Sequence, residues 1–141
     1  MAVWTGPFGL ENLDRVGQDS AGGQCGIQFT GFGENWVEAT LPLDARTMGR
    51  NEALHPGALS ILAETVGSIA ASLCIDRARQ TCVGQILSVS HLRKVTAGPV
   101  LARATPVAIL NDRQVWNIDM TDAAGEPVGA ARLTMAILDK P

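Results

Sequence analysis

Basic side chains are few in this sequence: 11 Lys and Arg stand against 14 Asp and Glu, giving a formal net charge of −3 and a pI near 5.2. That balance excludes the electrostatic footprint of a nucleic-acid backbone binder, so an anionic ligand would need a local basic cluster. No apolar run approaches the length of a membrane-spanning helix. The opening MAVWTGPFGLENLD has neither the basic start nor the apolar core of a secretory signal. A cytoplasmic protein without membrane contact is expected. Cysteine is limited to Cys25, Cys74 and Cys82, an odd number without metal-type spacing, and histidine to His55 and His91, far apart in the chain. Small core residues, not ligands, are expected of Cys74 and Cys82, and no metal site is expected. Missing as well are GxGxxG between a strand and a helix, HExxH and GxSxG, the signatures of dinucleotide binding, zinc proteolysis and a serine nucleophile. No internal repeat or low-complexity segment is apparent. With 46% hydrophobic and 18% charged residues over 141 positions, the chain reads as one folded domain with a real core.

The most informative stretch is LHPGALSILAETVGSIAASLCI, Leu54 to Ile75. Leu59, Leu62, Val66, Ile69 and Leu73 recur at spacings of three and four, which is a helix period. A second stripe, Ser60, Glu64, Ser68 and Ser72, rises in steps of four on another face. An ordinary surface helix would carry Lys, Glu and Arg there, whereas this one carries Ala, Gly, Thr and Ser. A helix over about 57–75 is therefore predicted, covered on nearly every side, with Pro56 in its first turn where a missing N–H costs nothing. Glu64 is the one charged residue inside it. A carboxylate carried inward needs hydrogen-bonding company or shifts its protonation, which makes Glu64 the first candidate for chemistry.

Around this helix the sequence predicts strands. Residues 1–24 are expected to pack as an N-terminal segment on a domain spanning 25–141, with a short helix over Leu10–Val16 and a loop at Ser20–Gly23. From Cys25 the period becomes two: CGIQFTGF and ENWVEATLPL read as strands, with Val37, Ala39 and Leu41 on one face and Trp36, Glu38 and Thr40 on the other. Asp44–Ala53 reads as a loop whose Arg46, Arg50 and Asn51 face solvent or a pocket. Beyond the helix, 81–92, 99–110, 113–120 and 128–138 read as a four-strand meander, its connections Thr96–Gly98, Asn111–Asp112 and Asp122–Gly125 short enough for antiparallel neighbours. An α+β domain follows, its sheet wrapped around the single long helix. Trp36, Trp116 and Ile118 are expected on the outer side of the sheet, in an oligomer that buries them.

Several blocks resemble one known family. His55-Pro-Gly-Ala-Leu-Ser-Ile-Leu-Ala-Glu64-Thr-Val-Gly-Ser68 is similar to the HGG…LAE(S/T)…GS segment of hotdog-fold acyl-CoA thioesterases, in the branch of the phenylacetate-pathway and 4-hydroxybenzoyl-CoA enzymes. The likeness continues through Ser88-Val-Ser-His91-Leu-Arg93, Ala97-Gly98, Gln114-Val-Trp116-Asn-Ile-Asp119 and Arg132–Leu138, covering about Phe29 to the C-terminus. The resemblance implies a hotdog fold, an antiparallel sheet around one helix. It also implies dimers or tetramers with sites at subunit interfaces and an acyl-CoA thioester as substrate, coenzyme A entering as part of that substrate with no separate cofactor.

By the same resemblance Glu64 attacks the thioester carbonyl or activates water, and Ser68, one turn later on the same face, holds that water or the carboxylate. His55 and the Gly57 N–H at the helix N-terminus are expected to polarise the carbonyl, while His91 and Arg93, with Lys94 beside them, hold the coenzyme A phosphates. Gly98 would let the pantetheine arm approach the backbone, and Arg132 would be a second anion contact. Two positions depart from the pattern. Pro56 stands where the family has Gly, removing a backbone donor worth about 3 kcal/mol in an oxyanion site, with the Gly57 N–H expected to be free to replace it. Gly49 stands where the family has Gln, with Arg50 or Asn51 as stand-ins. These departures keep two further readings open, a non-hydrolytic acyl-CoA or acyl-thioester binding protein and a hotdog dehydratase.

Overall fold

The computed structural model describes residues 1–141 apart from the side chain of Val16. Its centre is α3, Pro56–Ser72, whose Leu62, Ala63, Val66 and Ala70 are fully buried. The helix starts at Pro56 because His55 keeps an extended backbone as N-cap. It ends at Ser72, short of the expected 75, and the carbonyls just beyond it are taken by the N-terminal strap. The Thr5 N–H donates to Leu73 O, and the Thr5 hydroxyl donates to Leu73 O at 2.6 Å and Ile75 O at 2.9 Å.

Six strands form one antiparallel sheet in the order β1-β2-β4-β5-β6-β3: β1 Gln28–Phe32, β2 Val37–Leu41, β3 Gln80–His91, β4 Val100–Ile109, β5 Arg113–Thr121 and β6 Pro127–Asp139. Strands β2 to β6 all contact α3. The strand assignments stand, and so does the α+β architecture with one long helix.

The expected four-strand meander is corrected. Strand β3 does not pair with β4 but lies outside β6 as an edge strand, held by a ladder running from Gln80↔Asp139 to His91↔Gly129. The chain from Leu92 to Pro99 carries it back across to β4, which pairs with β2. Gly98 belongs to that return. An added Cβ would lie 2.8 Å from the Leu43 backbone nitrogen, so close backbone approach explains the glycine.

A second correction concerns the outer face. Trp116 and Ile118 are fully buried beneath α3, not on the outer side. They share the parity of Gln114 and Met120, all four inward, which leaves Arg113, Val115, Asn117 and Asp119 on the other side. Trp36 is outward, with the Arg103 guanidinium 4.2 Å from its ring centroid. Outward or edge apolar surface comes instead from Val83, Ile86, Val107 and Leu138.

The N-terminal segment builds α1, Leu10–Gly17, and a short α2, Ala21–Gln24, where a loop is expected. Ser20 makes the difference: its hydroxyl accepts from the Gly23 N–H and caps the turn. Trp4 stacks on Trp116 with ring centroids 6.2 Å apart and donates from Nε1 to Gly33 O. Asp14 accepts from the Phe29 N–H, tying α1 to β1. Among the described residues no helix is long and apolar enough to cross a membrane.

Candidate active site

Glu64 lies on the α3 face that turns from the sheet centre toward β3 and α2. Its carboxylate is half-buried, not sealed as the helix pattern predicts. Ser68, one turn on, donates to Glu64 Oε1 at 2.8 Å and lies 3.8 Å from Met135 Sδ. The two side chains the sequence places on one face therefore form one hydrogen-bonded unit. Glu64 opens onto a cavity of about 330 Å³ bounded by Ala21 and Gly22 of α2, Ser60, Ile61 and Thr65 of α3, and Leu87 of β3. Apolar walls, a carboxylate and the Ser60 and Thr65 hydroxyls suit a small acyl group with some polarity. Of these, only the Ser60–Glu64 spacing stands out in the sequence. The α2 wall is missed because that segment reads as loop, and Leu87 because its facing depends on a bulge.

The helix N-terminus is organised by His55. Its Nδ1 accepts from the Gly57 N–H at 2.9 Å, and the Ala58 N–H turns to His55 O. The expectation of a free Gly57 N–H is thereby corrected: Pro56 has no donor, and the next two N–H groups are engaged. With Nδ1 accepting, a neutral His55 ring carries its proton on Nε2, and this donor points from an exposed side chain.

A second cavity, of about 340 Å³, adjoins this end of the helix and is lined by Leu54, Pro56, Leu59, His91, Arg93 and Lys94 among others. The structure thus brings the expected basic cluster to the helix N-terminus. Arg93 also stands 3.6 Å from Glu126 across the surface. Arg132 is elsewhere, on the outer face of the sheet, where it donates to Asn117 Oδ1. Gly49, where Gln is missing, packs against His55, with the added-Cβ position 3.1 Å from His55 Cα. Arg50 and Asn51 sit on an exposed turn closed by the Gly49 N–H to Ala53 O bond, Asn51 and Glu52 both having positive φ. Neither lines the cavity at Glu64 or the one at Pro56.

A larger cavity, about 700 Å³, lies at the other end of α3 beneath the N-terminal strap, lined by Phe8, Ile69, Leu73 and Arg77 among others. None of the residues above borders it, so size alone does not mark the reactive site. Burial pushes the Cys74 thiol up to about 12 and also raises Cys82, which keeps both as neutral thiols near pH 7. Among the described residues no three His, Cys, Asp or Glu side chains group as a metal site.

One long helix on a six-stranded antiparallel sheet, with a half-buried carboxylate at its middle and a capped N-terminus beside a basic segment, is the hotdog architecture of thioester-handling proteins. Residues 51–128 match the thioesterase superfamily, and the chain belongs to it. The 1,4-dihydroxy-2-naphthoyl-CoA hydrolase of Escherichia coli K12 is 35% identical over 96% of this chain and 99% of its own. The proofreading thioesterase EntH of Cronobacter sakazakii is 36% identical over 96% and 98%. The crystal structure of thioesterase HI1161 from Haemophilus influenzae superposes with a TM-score of 0.93 at 42% identity, covering 97% of this chain and 95% of that one. The relatives are thus hydrolases of the class expected from the sequence, over nearly the whole chain.

Proposed function

We propose that this protein hydrolyses an acyl-CoA thioester, with Glu64 as the reacting carboxylate. The observation that carries the reading is the Glu64 carboxylate, held by the Ser68 hydroxyl at 2.8 Å and lining a solvent-open cavity sized for a small or aromatic acyl group. Glu64 either attacks the thioester carbon, releasing the coenzyme A thiolate and leaving an anhydride for water to cleave, or removes a proton from the attacking water. Ser68 donates to Oε1 and fixes the carboxylate in either route. His55 Nε2–H supplies the carbonyl-polarising donor that Pro56 lacks, and His91 and Arg93 hold the phosphate end of coenzyme A along the second cavity.

The two halves of this machinery stand far apart in one chain. From Pro56 to Glu64 the helix rises roughly 12 Å, too far for both to meet one carbonyl. A homo-oligomer resolves the separation: the helix N-terminus of a second copy faces Glu64, and the edge of β3 is the place for the copies to join. That edge is 12 residues long and exposes Val83 and Ile86.

The test is thiol release from phenylacetyl-, benzoyl-, hydroxybenzoyl- and short-chain acyl-CoA by the wild type, Glu64→Gln and Pro56→Gly. Turnover abolished in Glu64→Gln supports the reading, and a gain of about tenfold in Pro56→Gly shows that a backbone donor is missing at the helix N-terminus. Tight binding of a nonhydrolysable thioester analogue without turnover of any substrate would replace hydrolysis by binding.

A further inference from the structure

We infer that Gly84 is a positioning residue for the Glu64 carboxylate, the backbone of β3 forming a seat that any side chain at this position would fill. The inference rests on the reading of Glu64 as the reacting carboxylate. A Cβ added at Gly84 would lie 2.7 Å from Glu64 Oε1, and the three nearest heavy atoms, at 2.7, 3.5 and 3.6 Å, all belong to that carboxyl group. The φ of Gly84 is outside the left-handed region, so the backbone itself does not call for glycine. Glycine in the interior of a strand weakens it, and here the close approach of the carboxylate is what accounts for it.

A bulge aims Gly84 at the helix. The β3–β6 register runs Gly84↔Met135 and then Ile86↔Thr134, so Gln85 is the extra residue. Without the bulge Gly84 and Leu87 would face opposite sides of the sheet. With it both face α3, one against the carboxylate and the other lining its cavity. Oε1 is thereby held between the β3 backbone and the Ser68 hydroxyl, which itself touches Met135, the register partner of Gly84. Oε2 has no protein hydrogen-bond partner among the described residues and is the oxygen left to react. A methyl group at position 84 meets the end of a flexible side chain, not backbone, so the carboxylate shifts and the fold survives.

The experiment compares wild type, Gly84→Ala, Glu64→Asp, Glu64→Ala and the doubles Gly84→Ala/Glu64→Asp and Gly84→Ala/Glu64→Ala, by thioesterase kinetics, thermal unfolding and size in solution. Gly84→Ala is expected to lower kcat about 10- to 100-fold with KM within about twofold, since sub-ångström misplacement of a reacting group has effects of this order. Adding Glu64→Asp, which withdraws the carboxylate by one methylene, is expected to leave Gly84→Ala no less active, although Glu64→Asp alone lowers kcat. The loss of melting temperature caused by Gly84→Ala is expected to vanish in the Glu64→Ala background. Wild-type kcat in Gly84→Ala, additive losses in the first double, or an equal melting loss in both backgrounds overturns the inference. Should the wild type release no thiol from any substrate, the hydrolytic reading fails by itself, and the two melting comparisons still decide whether Gly84 seats the carboxylate.

Discussion

Two faces of α3 differ in what their neighbours do. The face of Leu62, Val66 and Ala70 is fully buried against the sheet, among residues such as Val37, Ala39 and Trp116. The face of Ser60, Glu64 and Ser68 is half-buried, and its Ser60 and Glu64 line a cavity beside β3 and α2. Five turns of one helix thus supply both a core and a reactive surface. Rigidity on the first face fixes the geometry of the second, because a side chain on a well-packed helix has little freedom of its own.

That contrast can be broken from either side. On the open face, Glu64→Gln should lower kcat about 10³-fold while its melting temperature stays close to wild type. On the closed face, Leu62→Ala should cost about 2–5 kcal/mol of stability through a core cavity, with kcat of the remaining folded enzyme nearly intact. Equal effects of the two substitutions on melting would erase the distinction. Opposite the closed face, on β5, Gln114 is buried, accepting from Trp116 Nε1 and donating to Ala71 O. Gln114→Leu should cost about 1–3 kcal/mol by denaturant unfolding, since a buried indole N–H loses its partner.

At the helix N-terminus, Arg93→Ala should raise KM about two- to fivefold and leave kcat alone, because an exposed contact to phosphate adds to ground-state and transition-state binding equally. An unchanged KM would separate the basic segment from the coenzyme A end. The smallest effect concerns Cys74. Burial pushes its thiol from the ordinary value of 9.0 up to about 12. The folded state then holds the proton more tightly, so this contribution to stability is fully present below pH 9 and is lost as pH rises toward 12. Iodoacetamide at pH 8 should label Cys74 only after unfolding, as read by mass spectrometry.

The closed face was the legible one. Spacings of three and four between Leu59, Leu62, Val66 and Ile69 define a helix, and a lone Glu64 among small residues marks its odd side. Parity in β5 was harder, because Gln114, Trp116, Ile118 and Met120 form a set with a polar member and alternation alone does not say which set turns inward. The place of β3 was hidden by a short connection to β4 that resembles a hairpin, whereas the long ladder with β6 is a contact across some fifty residues. The seat at Gly84 had a signal, a glycine inside a strand, but the bulge that aims it depends on β6 and has no local mark in Val83-Gly84-Gln85-Ile86. At the helix N-terminus, Pro56 announces a lost donor. The capture of the Gly57 N–H by His55 became visible only with a side-chain rotamer.

The N-terminal strap carries a consequence for the order of assembly. Thr5 closes on Leu73 and Ile75, and Trp4 stacks on a tryptophan more than a hundred residues downstream. These residues leave the ribosome well before their partners exist. The strap therefore cannot complete its native contacts until β5 has emerged, so the end of the helix is closed only after most of the sheet has been made.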